Sequence, residues 1–159
     1  MTEHPLVAWH DAATRTTDAL RAMLGPGAEA GHLCPRCGSD AHGRPWARVG
    51  ERRYAASASR AGGHLVVVAR AAEQGAIGVD VERADAEPPA SAIVLHPSDD
   101  ADPLEAWVAK EAVLKRAGTG LRVAPASIRL DAWRVVPLDA PPGLIARVAN
   151  GPRNGAASA

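Results

Sequence analysis

The stretch Gly78-Val79-Asp80-Val81-Glu82 alternates apolar and acidic side chains. Successive side chains of a β-strand point to opposite faces, so this alternation predicts a strand whose valines enter a core while both carboxylates share the other face. A strand end that is only half exposed has the same pattern. The stretch therefore predicts a strand, and it indicates a site only if a partner lies elsewhere in the chain.

Such a partner is the sequence Trp-Val-Ala-Lys-Glu-Ala-Val-Leu-Lys, which runs from Trp107 to Lys115. Its pattern predicts a helix over residues 104–117. Trp107, Glu111 and Lys115 are four residues apart and so share one helix face. An ordinary Glu-to-Lys pair on a solvated helix explains this spacing equally well when the helix is considered alone.

Strand and helix together predict that three carboxylates converge, those of Asp80, Glu82 and Glu111. Carboxylate oxygens with room for water suit a hard octahedral ion such as Mg²⁺, which takes few protein ligands and completes its shell with water and phosphate. Lys115 and the neighbouring Lys110 are then expected to face the same phosphates.

Composition limits the function classes that remain. The chain has 159 residues with 18 basic and 18 acidic side chains, so no overall field draws it to nucleic acid or to a membrane. The sequence has no apolar run long enough to span a bilayer and no signal-peptide pattern. We therefore expect a cytoplasmic protein of one domain.

The two stretches resemble the bipartite signature of the 4′-phosphopantetheinyl transferase superfamily, Gly-(Ile/Val)-Asp-x-Glu followed by Trp-x-x-Lys-Glu-(Ala/Ser)-x-x-Lys. The continuation Gly118-Thr119-Gly120-Leu121 is similar to the Gly-x-Gly-Leu of the longer, surfactin-type branch. The resemblance runs from about Cys34 to Leu121. The segment between Asp80 and Glu111 is shorter than in most relatives, where part of it meets the carrier protein.

This resemblance implies a holo-[carrier protein] synthase. Such an enzyme uses Mg²⁺ to transfer the 4′-phosphopantetheine arm of CoA to a serine of an apo acyl or peptidyl carrier protein, and it releases 3′,5′-ADP. The resemblance implies that Asp80, Glu82 and Glu111 bind the metal. Glu111 and Lys115 are the implied catalytic residues, and Lys110 joins Lys115 at the phosphates of CoA.

The other implied CoA contacts lie upstream. Gly43-Arg44-Pro45 resembles an element beside the CoA nucleotide in relatives, so Arg44 and Pro45 are expected there. Ser59 and Arg60 fall where relatives carry a Ser-His pair against the 3′-phosphate of CoA, and arginine keeps the cation without a titration near neutral pH. Two more arginines are candidates by position, although a solvated helix face explains them equally well: Arg15 and Arg21.

The implied fold is α+β and 4′-phosphopantetheinyl transferase-like, with two pseudo-symmetric α/β halves and the active site between them. We expect this domain over residues 1–150, with an abbreviated first half over 1–72 and a second half over 73–150. A disordered tail is expected over 151–159. Both halves in one chain imply a monomer, whereas smaller relatives assemble as trimers. The short first half leaves a dimer as the alternative.

Within this domain, residues 53–59 and 64–69 are expected to form a hairpin. The strand that carries Asp80 follows, and all three strands are expected to pair in one sheet.

The two cysteines form Cys34-Pro35-Arg36-Cys37, with His32 and His42 on either side. The spacing His-x-Cys-x2-Cys-x4-His could supply four ligands to zinc, which prefers thiolate and imidazole. It is tight for a four-ligand site, so a pair of reduced thiols in a turn is the favoured interpretation. A disulfide is disfavoured in a reducing compartment.

Two other classes of function remain open at this point. One is a non-catalytic module, either a degenerate transferase that still binds CoA or another nucleotide, or a small zinc-organised interaction domain. The other is an unrelated Mg²⁺-dependent nucleotide phosphohydrolase, which would use the same carboxylates without a carrier protein. The sequence identifies neither the carrier protein nor the pathway that is served.

Overall fold

The computed structural model describes residues 4–153 of the chain. The chain divides between Ile77 and Gly78 into two compact units, called unit 1 and unit 2 below. Each unit carries an antiparallel sheet and few helices, so the predicted α+β class is confirmed. The division lies close to the boundary expected at 72–73. No helix in residues 4–153 is both long and apolar enough to cross a membrane.

Unit 1 contains five strands and one α-helix, in the order β1 (Leu6–Asp11), α1 (Thr16–Leu24), β2 (Ala28–Leu33), β3 (Arg44–Val49), β4 (Arg52–Ala61) and β5 (His64–Ala71). The sheet order is β1-β5-β4-β3-β2, with every neighbouring pair antiparallel. The expected hairpin is confirmed as β4 and β5. Its turn is Gly62-Gly63, whose φ angles of 54° and 80° suit a type I′ turn.

The core of unit 1 lies between α1 and one face of this sheet. The helix contributes Ala19 and Leu20, and the strands contribute small or aliphatic side chains at Ala30, Ala47, Ala56, Leu65, Val67 and Ala69. Because strand side chains alternate between faces, the β4 residues that share a face with Ala56 point towards α1. This places Arg60 on the side of the sheet that carries the helix.

Unit 2 contains β6 (Gly78–Arg83), α2 (Ser91–Val94), α3 (Pro103–Ala117), β7 (Trp133–Leu138) and β8 (Leu144–Pro152). Short 3-10 turns connect α3 to β7. The sheet order is β6-β8-β7, and both pairs are antiparallel.

The expectation that β6 joins the sheet of β4 and β5 is wrong. β5 already pairs with β1 on one edge and with β4 on the other, so it has no edge left for β6, which pairs with β8 instead. The tail expected over 151–159 also begins too early. Gly151 and Pro152 belong to β8, and the Arg153 N–H donates to the Ala132 carbonyl at 2.8 Å. Residues 154–159 lie outside the described part of the chain.

Helix α3 has the ends that its sequence predicts. The Asp102 carboxylate accepts hydrogen bonds from the N–H groups of Leu104 at 2.9 Å and Glu105 at 3.2 Å, and Pro103 occupies the first turn. The helix packs on β6 and β8. Its buried residues Ala112, Val113 and Leu114 form a core with Ile128 and Ala149.

Gly78 sets how closely α3 approaches β6. A Cβ atom at this position would lie 2.0 Å from the Ala112 carbonyl oxygen and 2.5 Å from the Arg116 nitrogen. Real Cβ atoms do not come this close to backbone, so only glycine permits the observed packing of helix on strand. The residues that follow Gly78 on β6 are thereby held directly beneath α3.

The two units share an outline of connectivity, although the sheet of unit 1 has five strands and that of unit 2 has three. In each unit the first strand leads into helix and then into a run of strands, and the last strand returns to pair antiparallel with the first. The closing pair is β5 with β1 in unit 1 and β8 with β6 in unit 2.

We expect Gly78→Ala to lower the free energy of unfolding by about 3 kcal/mol, because the added methyl group collides with helix backbone that cannot swing aside. Gly143→Ala is the matched control. Its φ of 82° disfavours alanine, but nothing lies within 4 Å of the added atom, so a loss of about 1 kcal/mol is expected. Urea denaturation measures both, and equal losses would contradict the close contact of helix and strand.

Candidate functional site

Asp80 lies at the centre of the site in unit 2. It is only 4% exposed, and its Oδ1 accepts a hydrogen bond from the Lys115 ammonium at 2.6 Å. On β8, Arg147 stands directly opposite Asp80 and pairs with Glu105 of α3. Strand β6, strand β8 and helix α3 therefore all contribute charged side chains to one region of unit 2.

Glu82 lies on β6 two residues after Asp80, and the Trp107 indole of α3 is close enough to stabilise its carboxylate. Burial raises the pKa of Glu82 and the charge of Asp80 raises it further, whereas Lys115 and the Trp107 indole oppose the shift. The net result is a pKa above the usual range for a carboxyl group.

Glu111 lies on α3 between these two contacts. Its Oε1 is enclosed and has no hydrogen-bond partner among residues 4–153. Burial raises the pKa of Glu111, the charges of Asp80 and Glu82 add to the shift, and Lys115 opposes it. The carboxylates of Asp80 and Glu82 are therefore close enough to Glu111 to act on its ionisation.

The contacts also fix the direction of α3 relative to β6. Lys115 reaches Asp80, whereas Trp107, two helical turns earlier, reaches the later strand residue Glu82. The helix therefore runs antiparallel to the strand. This arrangement places Glu111 between Trp107 and Lys115, so the helix residues of the site all lie on one face of α3.

The donor chemistry of this site fits Mg²⁺. Three carboxylates outnumber the one paired lysine, and an enclosed carboxylate oxygen of Glu111 has no hydrogen-bond partner in the described part of the chain. The carboxylate oxygens of the three residues lie further apart than the ligand atoms of a closed metal site. Among the described residues, one trio of His, Cys, Asp or Glu ligand atoms lies within 4.8 Å of one another, and that trio belongs to unit 1. Mutual repulsion of carboxylates and the pairing of Lys115 with Asp80 favour this wider spacing.

Lys110 is placed differently from the expectation that it contacts CoA. Its side chain is fully buried, and its ammonium donates to the Asp99 carboxylate and to the Val94 carbonyl, the latter at 2.7 Å. The reason is helix geometry: Lys110 immediately precedes Glu111 and so faces a different side of α3. Lys110 is therefore a structural residue that fastens the segment before α3 to the helix.

The counter-ion Asp99 is itself well satisfied. It also accepts hydrogen bonds from the backbone N–H groups of His96 at 2.9 Å and Leu130 at 3.4 Å. Burial acts to raise the pKa of Asp99, but the hydrogen bonds from Lys110 and from these N–H groups lower it overall. The ion pair therefore ties together three parts of unit 2.

The predicted CoA contacts of unit 1 separate into two groups. Arg44 and Pro45 begin β3, where they pair with Leu33 and His32 of β2, and Arg44 is exposed. Ser59 is buried in β4 and lies on the opposite face of the strand from Arg60. Ser59 and Arg60 therefore do not line one surface as adjacent side chains.

Arg60 organises the entry to α1. Its guanidinium donates to the carbonyls of Ala12 at 3.1 Å and Thr14 at 2.9 Å, and to the Thr16 hydroxyl at 3.2 Å. Arg60 thus has a structural task beside any contact with phosphate. An Arg60→His change would remove hydrogen bonds that hold the start of the helix.

A cavity of about 370 Å³ opens where Arg60 meets α1, and its lining is Arg15, Thr16, Thr17, His32, Asp40, Ala41 and Arg60. Two guanidinium groups and the N-terminus of α1 make it suited to an anion. Thr17 is only 6% exposed, and its enclosed Oγ1 has no hydrogen-bond partner among the described residues. The two guanidinium groups outnumber the one carboxylate of the lining, that of Asp40, so the cavity is a candidate phosphate site.

Sequence reasoning found part of this cavity. Arg15 and Arg60 were candidates, whereas Thr17 was missed, although a threonine in the first turn of a helix is a usable signal. Arg21 is not part of the cavity, because it pairs with Asp18 at 3.0 Å and donates to the Ala30 carbonyl at 2.9 Å.

We expect Lys110→Met to lower the free energy of unfolding by about 3 kcal/mol, since it leaves the buried Asp99 charge without its partner. The double variant Lys110→Met/Asp99→Leu removes both charges and should recover most of that loss. Chemical denaturation of both variants provides the test. A single variant with normal stability and weakened CoA binding would show that Lys110 is a ligand contact after all.

A scan against models of protein families found no match. A search of curated proteins found no match either. The assignment of function therefore depends on the residues and geometry of the chain itself.

Proposed function

We propose that this chain is a 4′-phosphopantetheinyl transferase, which moves the 4′-phosphopantetheine arm of CoA to a serine of an apo acyl or peptidyl carrier protein. The observation that carries the proposal is the packing of β6 under α3. It brings Asp80, Glu82, Glu111 and Lys115 into one electrostatically coupled group, as the bipartite signature requires. Because CoA and carrier proteins occur in the cytoplasm, the proposed location is cytoplasmic.

The connectivity of the chain supports the same proposal. Each unit repeats the plan of a strand, helix and returning strands, which is the internal repetition that a fold of two similar α/β halves calls for. The proposed fold is therefore the 4′-phosphopantetheinyl transferase fold, formed within one chain as a monomer. Unit 2 supplies the metal ligands in this proposal, and unit 1 supplies a site for a phosphate of CoA.

Asp80, Glu82 and Glu111 are the proposed ligands of Mg²⁺ in unit 2. The chemistry that the bound ion supplies is neutralisation of the charge on the CoA pyrophosphate. Lys115 adds a fixed positive charge beside the same carboxylates, and it can turn from Asp80 towards a phosphate because its side chain is 32% exposed. The Trp107 indole lies close to the Glu82 carboxylate and favours its charged form.

Glu111 is the proposed general base. The serine oxygen of the carrier protein forms a bond to the phosphorus that bears the pantetheine arm, and the bond from that phosphorus to the oxygen of 3′,5′-ADP breaks. The serine proton passes to Glu111, directly or through a water.

The cavity at α1 is the proposed site of the 3′-phosphate of CoA. Arg15 and Arg60 provide positive charge, and Thr17 provides a buried hydroxyl that can donate to a phosphate oxygen. Arg44 and Pro45 remain proposed contacts of the CoA nucleotide. Lys110 is not included, because its ammonium is buried against Asp99.

The proposal predicts that the chain adds the mass of one phosphopantetheine arm to an apo carrier protein in a Mg²⁺-dependent reaction. Glu111→Gln should lower the rate at least about 100-fold, since it removes a metal ligand and the base with little change of shape. Glu73→Gln, an exposed carboxylate of unit 1, is the matched control and should keep full activity. Intact-protein mass spectrometry with an EDTA control measures the transfer.

Three results would contradict this account. Transfer that survives EDTA would exclude the metal site, and near-normal transfer by Glu111→Gln would exclude the proposed base. Release of 3′,5′-ADP from CoA at the same rate without any acceptor protein would instead favour a phosphohydrolase.

The phosphate cavity generates a separate prediction. Thr17→Val keeps the shape of the side chain but removes its hydroxyl, and Arg15→Gln removes one charge, so each should raise the KM for CoA roughly 10-fold. With dephospho-CoA, which lacks the 3′-phosphate, the same variants should match the wild type. An equal loss with both substrates would show that the cavity does not hold the 3′-phosphate.

A further inference from the structure

The loop between β2 and β3 is closed tightly on itself. The Cys34 N–H donates to the Ser39 carbonyl at 2.9 Å, and the Gly38 N–H donates to the Cys34 carbonyl at 2.8 Å. At the far end, a Cβ on Gly43 would lie 2.5 Å from the backbone of Leu33 and Cys34, so glycine is needed where the chain returns. The fold therefore brings the residue before Gly43 back to the first cysteine.

This closure gathers three metal-binding side chains. The sulfur atoms of Cys34 and Cys37 and a ring nitrogen of His42 all lie within 4.8 Å of one another. The Cys37 sulfur lies 3.4 Å from the His42 Nε2. In a tetrahedral zinc site, bond lengths of about 2.3 Å to sulfur and 2.0 Å to nitrogen place such atoms about 3.5 Å apart. The separation of Cys37 from His42 is therefore close to the one that the ion requires.

The chemistry of the trio selects zinc over Mg²⁺. Thiolate and imidazole are soft or borderline donors, whereas Mg²⁺ prefers carboxylate and phosphate oxygens. The carboxylates of unit 2 and these thiols thus offer sites to two different ions.

We propose that Cys34, Cys37 and His42 bind one zinc ion and that this ion fixes the loop between β2 and β3. His32, the fourth ligand expected from the sequence, is not part of the cluster: it lies on β2 and lines the α1 cavity instead. Three protein ligands leave one tetrahedral position for water, and the exposed positions of Cys37 and His42 make that position accessible.

The position of the loop gives the ion a structural consequence. Asp40 and Ala41 lie between the ligands Cys37 and His42, and both line the cavity that also contains Arg15 and Arg60. Because its ligands Cys37 and His42 flank Asp40 and Ala41, a bound ion keeps this wall of the cavity in place. The zinc site itself does not depend on what the cavity binds, so it stands or fails independently of the proposed transferase activity.

Zinc content of the purified full chain tests the proposal. Protein prepared under reducing conditions with zinc, then freed of loose metal by gel filtration, should contain about one zinc per chain by mass spectrometry of the metal. Cys37→Ser and His42→Gln alter exposed ligands and should each lower that content at least about 10-fold while the far-ultraviolet circular dichroism stays unchanged. His32→Gln is the matched control and should keep its zinc.

Cobalt substitution tests the ligand set by a second route. Co²⁺ added to the metal-free chain should give the thiolate charge-transfer and intense visible bands of a tetrahedral sulfur-ligated ion, and Cys37→Ser should weaken the charge-transfer band. A wild-type chain that binds neither zinc nor cobalt at micromolar concentration with both thiols reduced would overturn the proposal. Loss of zinc from His32→Gln would overturn the assigned ligand set.

Limited proteolysis tests the effect on the loop. Arg36 is exposed between the two cysteines, so trypsin can cut the chain there. Removal of zinc with a chelator should speed this cut at least about 10-fold, and zinc added back should restore protection, because the open loop is more accessible than the metal-bound one. An unchanged rate of cleavage would show that the ion does not fix the loop.

Discussion

The close packing of α3 against Gly78 is the contact on which the rest of the site in unit 2 depends. With no side chain at this position, helix backbone comes within van der Waals contact of strand backbone. The antiparallel course of the helix then brings Lys115 to Asp80 and Trp107 to Glu82. A larger residue at position 78 would push α3 away from β6. The carboxylates of Asp80 and Glu82 on the strand would then be separated from that of Glu111 on the helix.

Helix α3 separates two kinds of charge by its own periodicity. One face carries Glu111 and Lys115 towards the partly open site, and another carries Lys110 into a fully buried ion pair with Asp99. A lysine at each location has a different consequence. Lys115 is partly exposed, so it could exchange the Asp80 carboxylate for a phosphate. Lys110 could leave Asp99 only if the segment before the helix unfolded.

Much of the fold and of the unit 2 site could be predicted from local patterns. Helix α3 is predicted by the cap at Asp102, by the helical periodicity and by the glycine that follows it. The strand that carries Asp80 is predicted by its alternation of apolar and acidic side chains. The sheet assignment failed because strand pairing is decided by which edges are already occupied, and a single strand's sequence does not record this. Gly151 and Pro152 were predicted to lie in a disordered tail because that prediction used composition alone, whereas they form the end of β8.

The same limit applies to individual side chains. The sequence places Lys110 beside Glu111, but only helix geometry and the position of Asp99 show that it turns away from the site. Likewise, the spacing of cysteines and histidines suggested four zinc ligands, whereas loop closure at Gly43 selects His42 and leaves His32 on a strand. Motif spacing identifies which residues are candidates, and long-range packing decides which of them meet.

The central claim is that Asp80, Glu82 and Glu111 share one metal ion. Anomalous diffraction from crystals grown with CoA and Mn²⁺, which accepts the same oxygen ligands as Mg²⁺, tests it most directly. The account predicts one anomalous peak at about 2.2 Å from a carboxylate oxygen of each residue, with a CoA phosphate oxygen in the same shell. A crystal that contains CoA but shows its Mn²⁺ peak elsewhere, or shows Lys115 still paired with Asp80 and no peak, would contradict it.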